Sequence, residues 1–281
     1  MIRSYRQQDL AAFVQWLDTA VSPTKLHNIL EQAHQNWVLV QDGRPCGFGM
    51  VVAIPGLSGL YQLIGAVAPS RRRQGVGSQL LARMMDDLQD TAVKQLSYPV
   101  TDITTPAAQF LQKQKFFVEH AERSMTCQLS EIAQQQTNHQ LNLTISIVHP
   151  GEVIDVLPSL YDQCFAETAW YQPYSRRDIE DTQQEMNQLL LLKEAAKTVG
   201  FAWVQYPNSQ TAEIEPIGIV PERRGKGYGR FLLNHILQSQ KAAGKTAVSL
   251  GVWESNHPAI RLYKSLGFRK QSETIYLQCD L

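Results

Sequence analysis

The chain has 281 residues, enough for one large domain or two of ordinary size, and its 26 basic and 26 acidic side chains cancel to a formal net charge of zero. That balance argues against a general nucleic-acid or polyanion binder. Four cysteines without C-x-x-C spacing make neither a zinc signature nor a disulfide framework, so no metal is expected.

No run approaches the ~20 apolar residues of a membrane span. The opening Met1-Ile2-Arg3-Ser4-Tyr5-Arg6 has no apolar signal core. A cytoplasmic protein with neither membrane nor nucleic-acid partner is expected.

Residues 2–9 read as a strand and turn, after which Leu10, Phe13, Val14 and Leu17 share one helical face. Pro23 breaks the chain before a second short helix over 25–35. Strands are predicted over 37–40 and 47–54, joined by the hairpin signal Asp42-Gly43. A further strand over 60–67 feeds a glycine loop. A helix over 78–88 follows, with Leu80, Leu81, Met84 and Leu88 inward. A strand over 96–100, a helix over 106–115 and strand material over 116–129 complete the order β-α-α-β-β-β-α-β-α-β. It is a mixed α/β arrangement.

The Gln- and Asn-rich stretch 131–140 reads as a linker between domains at 1–130 and 141–281. Beyond it the order repeats, with strand material over 141–148, helices over 153–166 and 177–188, and a hairpin around 193–197. A strand over 212–219, a helix from 230, a strand over 246–252, a helix over 258–266 and strand material over 268–281 complete it.

The glycine loops are the clearest repeat. Pro69-Ser70-Arg71-Arg72-Arg73-Gln74-Gly75-Val76-Gly77 and Pro221-Glu222-Arg223-Arg224-Gly225-Lys226-Gly227-Tyr228-Gly229 share P-x-R-R-x-x-G-x-G at an offset of 152. Pro106 against Pro258 and Cys127 against Cys279 keep that offset. A strand, a cationic glycine loop and a helix start form an anion cradle, because glycine admits close backbone approach and the first helical N–H groups are unpaired. The second loop is neither a dinucleotide fingerprint nor a Walker loop.

Arg224-x-x-Gly227-x-Gly229 resembles the Q/R-x-x-G-x-G/A signature of the GNAT superfamily of acyl-CoA-dependent N-acyltransferases, and Ile219-Val220-Pro221 resembles its strand end. The stretch from Asn256 to Phe268 resembles its N-x-x-A-x-x-L-Y-x-x-x-G-F motif. The resemblance implies two tandem GNAT-like domains, each a mixed central sheet flanked by helices. It also implies an acetyl-CoA donor and a small-molecule amine or peptide acceptor. Its cofactor set here would be Ile219, Val220, Arg224, Gly225, Lys226, Gly227, Tyr228, Gly229, Arg230 and Asn256. Asn256 reads equally well as a helix cap.

Acyl transfer to an amine needs a base, an oxyanion donor and a partner for the departing sulfur. Tyr263 suits the last, although its spacing also fits an apolar helix face with Ala259, Leu262 and Leu266. Glu213 and Glu215 alternate with Ile214, so both are candidate bases on one strand face, with Glu215 preferred. The oxyanion donor would be a backbone N–H near Ile219. Trp170, Tyr171 and Tyr174 would either wall the acceptor pocket or pack the loop.

The first copy retains Arg72, Arg73, Gln74, Gly75, Val76 and Gly77, a possible second cofactor loop or a remnant kept for packing. At the same offset it has Leu111, Thr104, Tyr61 and Leu63 where the second has Tyr263, Asn256, Glu213 and Glu215. The expected activity is N-acetyl transfer by the second domain. The rival reading is a non-catalytic acyl-CoA-binding or interaction protein.

Overall fold

A computed structural model describes residues 1–17, 22–54, 57–132, 142–148, 150–152, 154–168, 171 and 188–281. Most of the expected linker, the helix expected over 177–188 up to residue 187, Trp170 and Tyr174 lie outside the described residues, and Gln188 begins a strand. The chain is mixed α/β and forms two compact units, Met1–Glu119 with Ile275–Leu281, and His120–Thr274.

The first unit runs β1 (Ile2–Arg3), α1 (Leu10–Trp16), α2 (Pro23–Gln32), β2 (Gln35–Gln41), β3 (Arg44–Ala53), β4 (Leu60–Val67), α3 (Val76–Leu88), β5 (Gln95–Val100) and α4 (Pro106–Lys113), and enters β6 (Phe117–Gln128). This is the expected order. Pro23 starts α2 rather than merely interrupting the chain. A proline at the first helical position forfeits only an N–H that would be unpaired anyway, and Ser22 Oγ caps the Lys25 N–H. Asp42 and Gly43 both take positive φ, 51° and 72°, as a two-residue hairpin turn requires. Leu80, Leu81, Met84 and Leu88 of α3 are buried as their spacing predicts.

The second unit contains most of β6, then β7 (Leu143–Val148), α5 (Leu157–Phe165), β8 (Gln188–Glu194), β9 (Lys197–Gln205), β10 (Thr211–Ile219), α6 (Tyr228–Ala242), β11 (Ala247–Trp253), α7 (His257–Ser265) and the start of β12 (Arg269–Asp280). Leu232, Leu233, Ile236 and Leu237 of α6 pack with Ile214, Val248 and Leu250 in its core. Each fully buried aliphatic side chain contributes about 1.5–3 kcal/mol.

The two closing strands are exchanged relative to the expected boundary. β6 pairs antiparallel with β11, Gln128 opposite Ala247 through Glu122 opposite Trp253. The end of β12 pairs antiparallel with β5, Ile275 opposite Val100 through Asp280 opposite Gln95. The 1–130 and 141–281 division therefore follows the sequence repeat, whereas the compact units trade their last strands. The repeat itself explains why: β6 and β12 carry Cys127 and Cys279 at matching positions, and each is followed by a leucine, Leu129 and Leu281, so either could close either sheet.

Both units share one feature that bears on function. β10 and β11 pair in parallel only as far as Ile214 opposite Leu250, then continue unpaired with each other to Ile219 and Trp253. β4 and β5 likewise pair only from Leu60 to Gln62. A bulge between Ile214 and Ile217 in the β9–β10 ladder accompanies the parting in the second unit.

Candidate active site

The second glycine loop leaves β10 through a turn of 3-10 helix, Pro221–Arg223, and enters α6 at Tyr228. Gly225 and Gly227 take φ values of 72° and 89°, a region that side chains with a β-carbon disfavour. The Arg224 N–H bonds back to Pro221, and the next backbone donor to find an acceptor is Phe231, to Gly227. The six N–H groups of residues 225–230 have no acceptor among the described residues. They lie at the positive end of a helix of 15 residues.

The loop's charged side chains brace it from behind. Arg224 Nε donates to the Ile219 carbonyl at 3.1 Å and its Nη2 to the Cys164 carbonyl at 2.5 Å, tying the strand end to α5. Lys226 Nζ donates to the Glu222 carbonyl. Arg223 and the Tyr228 hydroxyl both donate to Glu194 at the end of β8. Those two bonds hold the Glu194 carboxyl below its usual range. Glu194 gives no sequence signal, because its loop partners are remote in the chain. Gly229 lets α6 approach α7 closely: a β-carbon there would lie 3.2 Å from Leu262 Cδ2. Ile219 ends the strand, and buried Val220 gives its N–H to the Val199 carbonyl.

The first loop has the same construction. Arg73 and Gly75 take φ of 63° and 81° where the second has Gly225 and Gly227. Arg72 Nε donates to the Val67 carbonyl and Gln74 Nε2 to the Ser70 carbonyl. Past Arg72, the next backbone donor with an acceptor is Gln79. Val76 opens α3 and is buried. Gly77 faces Phe110, where a β-carbon would lie 3.4 Å away, as Gly229 faces Leu262.

Tyr263 lies on α7, 7% exposed, with its ring 5.8 Å from that of Phe268. Burial pushes its phenol up to about 12. Its hydroxyl has no hydrogen bond among the described residues. Tyr263 thus takes the place on the apolar helix face that its spacing predicts, as a buried ring whose phenol stays protonated at neutral pH. Asn256 caps α7, its Oδ1 accepting from the Ala259 N–H at 3.2 Å. Arg230 is bound to Ser265 Oγ, which braces α6 against α7.

Glu213 stands opposite Gln205 of β9 and Ser249 of β11, and Glu215 follows at the parting of β10 from β11. Glu215 is open to solvent on one side and surrounded by protein on the others. Lost solvation first, then Glu122 and Glu213, push its carboxyl up to about 6. Glu122 was not anticipated from sequence. It arrives on exchanged β6, and a β-carbon on Gly251 would lie 2.5 Å from its Oε1 and 3.9 Å from Glu215 Oε2. Tyr171, half-buried, donates to Asp162 at 2.6 Å and so packs against α5.

Residues 155–268 match the model of the "Acetyltransferase (GNAT) family", and residues 32–117 match that of the "Acetyltransferase (GNAT) domain". The chain belongs to the GNAT family, in tandem form. A mycothiol acetyltransferase of Thermomonospora curvata is 26% identical over 243 residues, covering 85% of this chain and 80% of that relative.

Among solved structures, a GCN5-related N-acetyltransferase from Sphaerobacter thermophilus aligns with a TM-score of 0.69 at 19% identity, over 100% of this chain and 95% of that one. A tandem GNAT protein from the clavulanic acid biosynthesis pathway aligns at 0.61 and 17%, over 98% and 94%. This GNAT chain is an N-acetyltransferase, and GNAT acetyltransferases use acetyl-CoA. Among the described residues no group of three or more potential ligands is placed to hold a metal, and no helix is long and apolar enough to cross a membrane.

Proposed function

We propose that the second unit transfers the acetyl group of acetyl-CoA directly to a small-molecule primary amine, with Glu215 as base and Tyr263 at the departing sulfur. The observation that carries this reading is a pairing found in the second unit: six unaccepted N–H groups at the loop, and a carboxyl raised to about 6 at the parting of β10 and β11.

The pyrophosphate would lie on the N–H groups of residues 225–230. The amide arm would run along the edges of β10 and β11 that do not pair with each other, which would bring the thioester to Glu215 and Tyr263. The amine lone pair attacks the thioester carbon, and Glu215 takes the amine proton, directly or through a water. The C–S bond then breaks. A phenol near 12 does not surrender its proton outright to a thiolate whose parent thiol has a pKa near 8.5. Tyr263 instead donates a hydrogen bond to the sulfur as charge develops there, and solvent supplies the thiol's final proton.

The first unit has the loop but Leu111, Tyr61 and Leu63 at the corresponding positions. Its loop would accept a phosphate-bearing ligand without chemistry. The reaction would take place in the cytoplasm, where acetyl-CoA is available. By likeness to the Thermomonospora relative, desacetyl mycothiol is the first acceptor to try, alongside amino acids and amino sugars.

The test is thiol release from acetyl-CoA against that panel. Tyr263→Phe should lower kcat by about 10–100-fold and leave the acetyl-CoA Kd unchanged. Equal turnover would remove Tyr263 from the mechanism. Gly227→Glu adds a β-carbon at φ 89° and a negative charge in the cradle. It should weaken acetyl-CoA binding at least about tenfold by calorimetry. Gly75→Glu, made in parallel, reports whether the first loop contributes to the measured binding. Unchanged binding in the Gly227 variant would mean that the pyrophosphate sits elsewhere.

A further inference from the structure

We infer that Glu194, the last residue of β8, is a positioning residue for acetyl-CoA: it ties the two ends of the second glycine loop to one carboxylate and so holds the loop's N–H groups ready for the pyrophosphate. This rests on that loop being the pyrophosphate site.

The glycines themselves do little to hold the loop. Gly225 and Gly227 take positive φ, and a β-carbon at either would meet nothing within 4 Å. Arg224 fixes the strand end and Lys226 turns back to the Glu222 carbonyl, but neither side chain reaches across Gly227 to α6. Glycine gives up more backbone freedom on ordering than any other residue. A loop that ordered only as its ligand arrived would bind that ligand more weakly.

The restraint comes from the ends. Arg223 closes the 3-10 turn before the loop, and Tyr228 opens α6 after it. Arg223 sets Nε and Nη2 on Glu194 Oε2, at 2.7 and 2.6 Å, and the Tyr228 hydroxyl donates to Oε1. Each carboxylate oxygen therefore takes one end of the stretch 224–227. Bonds to an ionised acceptor are about twice as strong as neutral ones. They hold the carboxyl below its usual range, so it is charged at neutral pH. That charge cancels Arg223 and repels phosphate, so it opposes binding unless the order it imposes is worth more.

The first unit shows a similar loop without this clamp. Gln41 ends β2 opposite Arg44, as Glu194 ends β8 opposite Lys197. Arg71 reaches instead to Asp42 of the hairpin turn, at 3.4 Å and between exposed side chains. Val76 stands where the second loop has Tyr228 and offers no hydroxyl for a shared carboxylate to hold. The second loop should accordingly be the tighter site for acetyl-CoA.

The test is calorimetric titration of acetyl-CoA into the Gly75→Glu chain, which leaves the second loop to be read alone. In that background Glu194→Ala should raise the Kd at least about fivefold. Glu194→Gln, which keeps the length and one acceptor oxygen, should recover part of the loss. Tyr228→Phe should weaken binding by itself yet add little to Glu194→Ala, because its hydroxyl acts through that carboxylate. Thermal melts recorded alongside report whether each variant is folded, and Tyr228→Phe carries the test if Glu194→Ala is not.

Unchanged or tighter binding in Glu194→Ala, the result expected of a carboxylate that only repels phosphate, overturns the inference. So does a Tyr228→Phe loss fully additive with it. If Gly227→Glu binds acetyl-CoA as well as its parent does, it is the pyrophosphate site that is misassigned, and that failure is distinct from one confined to Glu194.

Discussion

Deleting Ile275–Leu281 is expected to unfold the first compact unit while the second, with its own closing strand β6, keeps its fold. These residues are the last in the chain but belong to the core built from the first half. Leu277 is fully buried and Cys279 nearly so, in one cluster with Leu96, Val100, Leu111 and Phe116. The segment pairs with β5 from Ile275 to Asp280, and the Leu281 N–H reaches the Lys94 carbonyl at 2.9 Å. Losing a buried leucine costs about 2–5 kcal/mol, each lost ladder bond about 0.5–1.5 more, and β5 becomes an open edge. Together these compare with the whole stability of a typical domain, about 5–15 kcal/mol.

Hydrogen exchange read by mass spectrometry distinguishes the outcomes. Amides of β4 and β5 should lose protection in the truncated chain, while those of β9 and β11 keep theirs. Full protection of β5 would mean that the exchanged strand is dispensable. Uniform loss across both units would mean that they unfold as one.

Much of this arrangement is written in local pattern. The glycine loops, the helices that follow them and the Asp42-Gly43 hairpin depend on residues close in sequence, whose φ requirements and apolar spacing are readable directly. The ownership of β6 and β12 is not. Each carries the same alternation and the same landmark residues at an offset of 152, and pairing between distant segments leaves no mark in either one.

The same limit hid Glu122. On its own strand it is an unremarkable carboxylate among polar neighbours; its meaning comes from Gly251 and Glu215, and from a strand exchange that places it there. Asn256 and Arg224 were visible as motif residues, but their side-chain partners, the Ala259 N–H and the Cys164 carbonyl, show them shaping the site's framework. Conversely, the first loop keeps its backbone geometry despite Arg73 at a position where the second has glycine. Geometry there outlasts the residue that most easily supports it.

Replacing Glu215 by Gln should lower kcat/KM by about 10²–10³-fold, the range expected when a general base is removed. The demand on the base is large. At pH 7 an amine of pKa ~10.4 is unprotonated about once in 2,500 molecules, a handicap of about 4.6 kcal/mol. In the wild-type enzyme kcat/KM should fall as pH drops below about 6, where Glu215 becomes protonated, and the variant should lose that limb.

Stability should move the other way. The carboxyl's folded value, about 6, lies above its ordinary 4.5. Below 4.5 it is protonated in both folded and unfolded chains and costs nothing. As pH rises through about 6 the folded state must hold a charge that the unfolded chain solvates more easily, so the cost becomes complete. Glu215→Gln removes it. The variant's Tm should therefore exceed that of the wild type above pH 6 and match it at pH 4, to be read by calorimetry at both. A residue kept for structure would lower Tm when replaced. A drop in turnover together with a rise in Tm confined to the higher pH is the signature of a carboxylate held at a stability cost for the proton it takes.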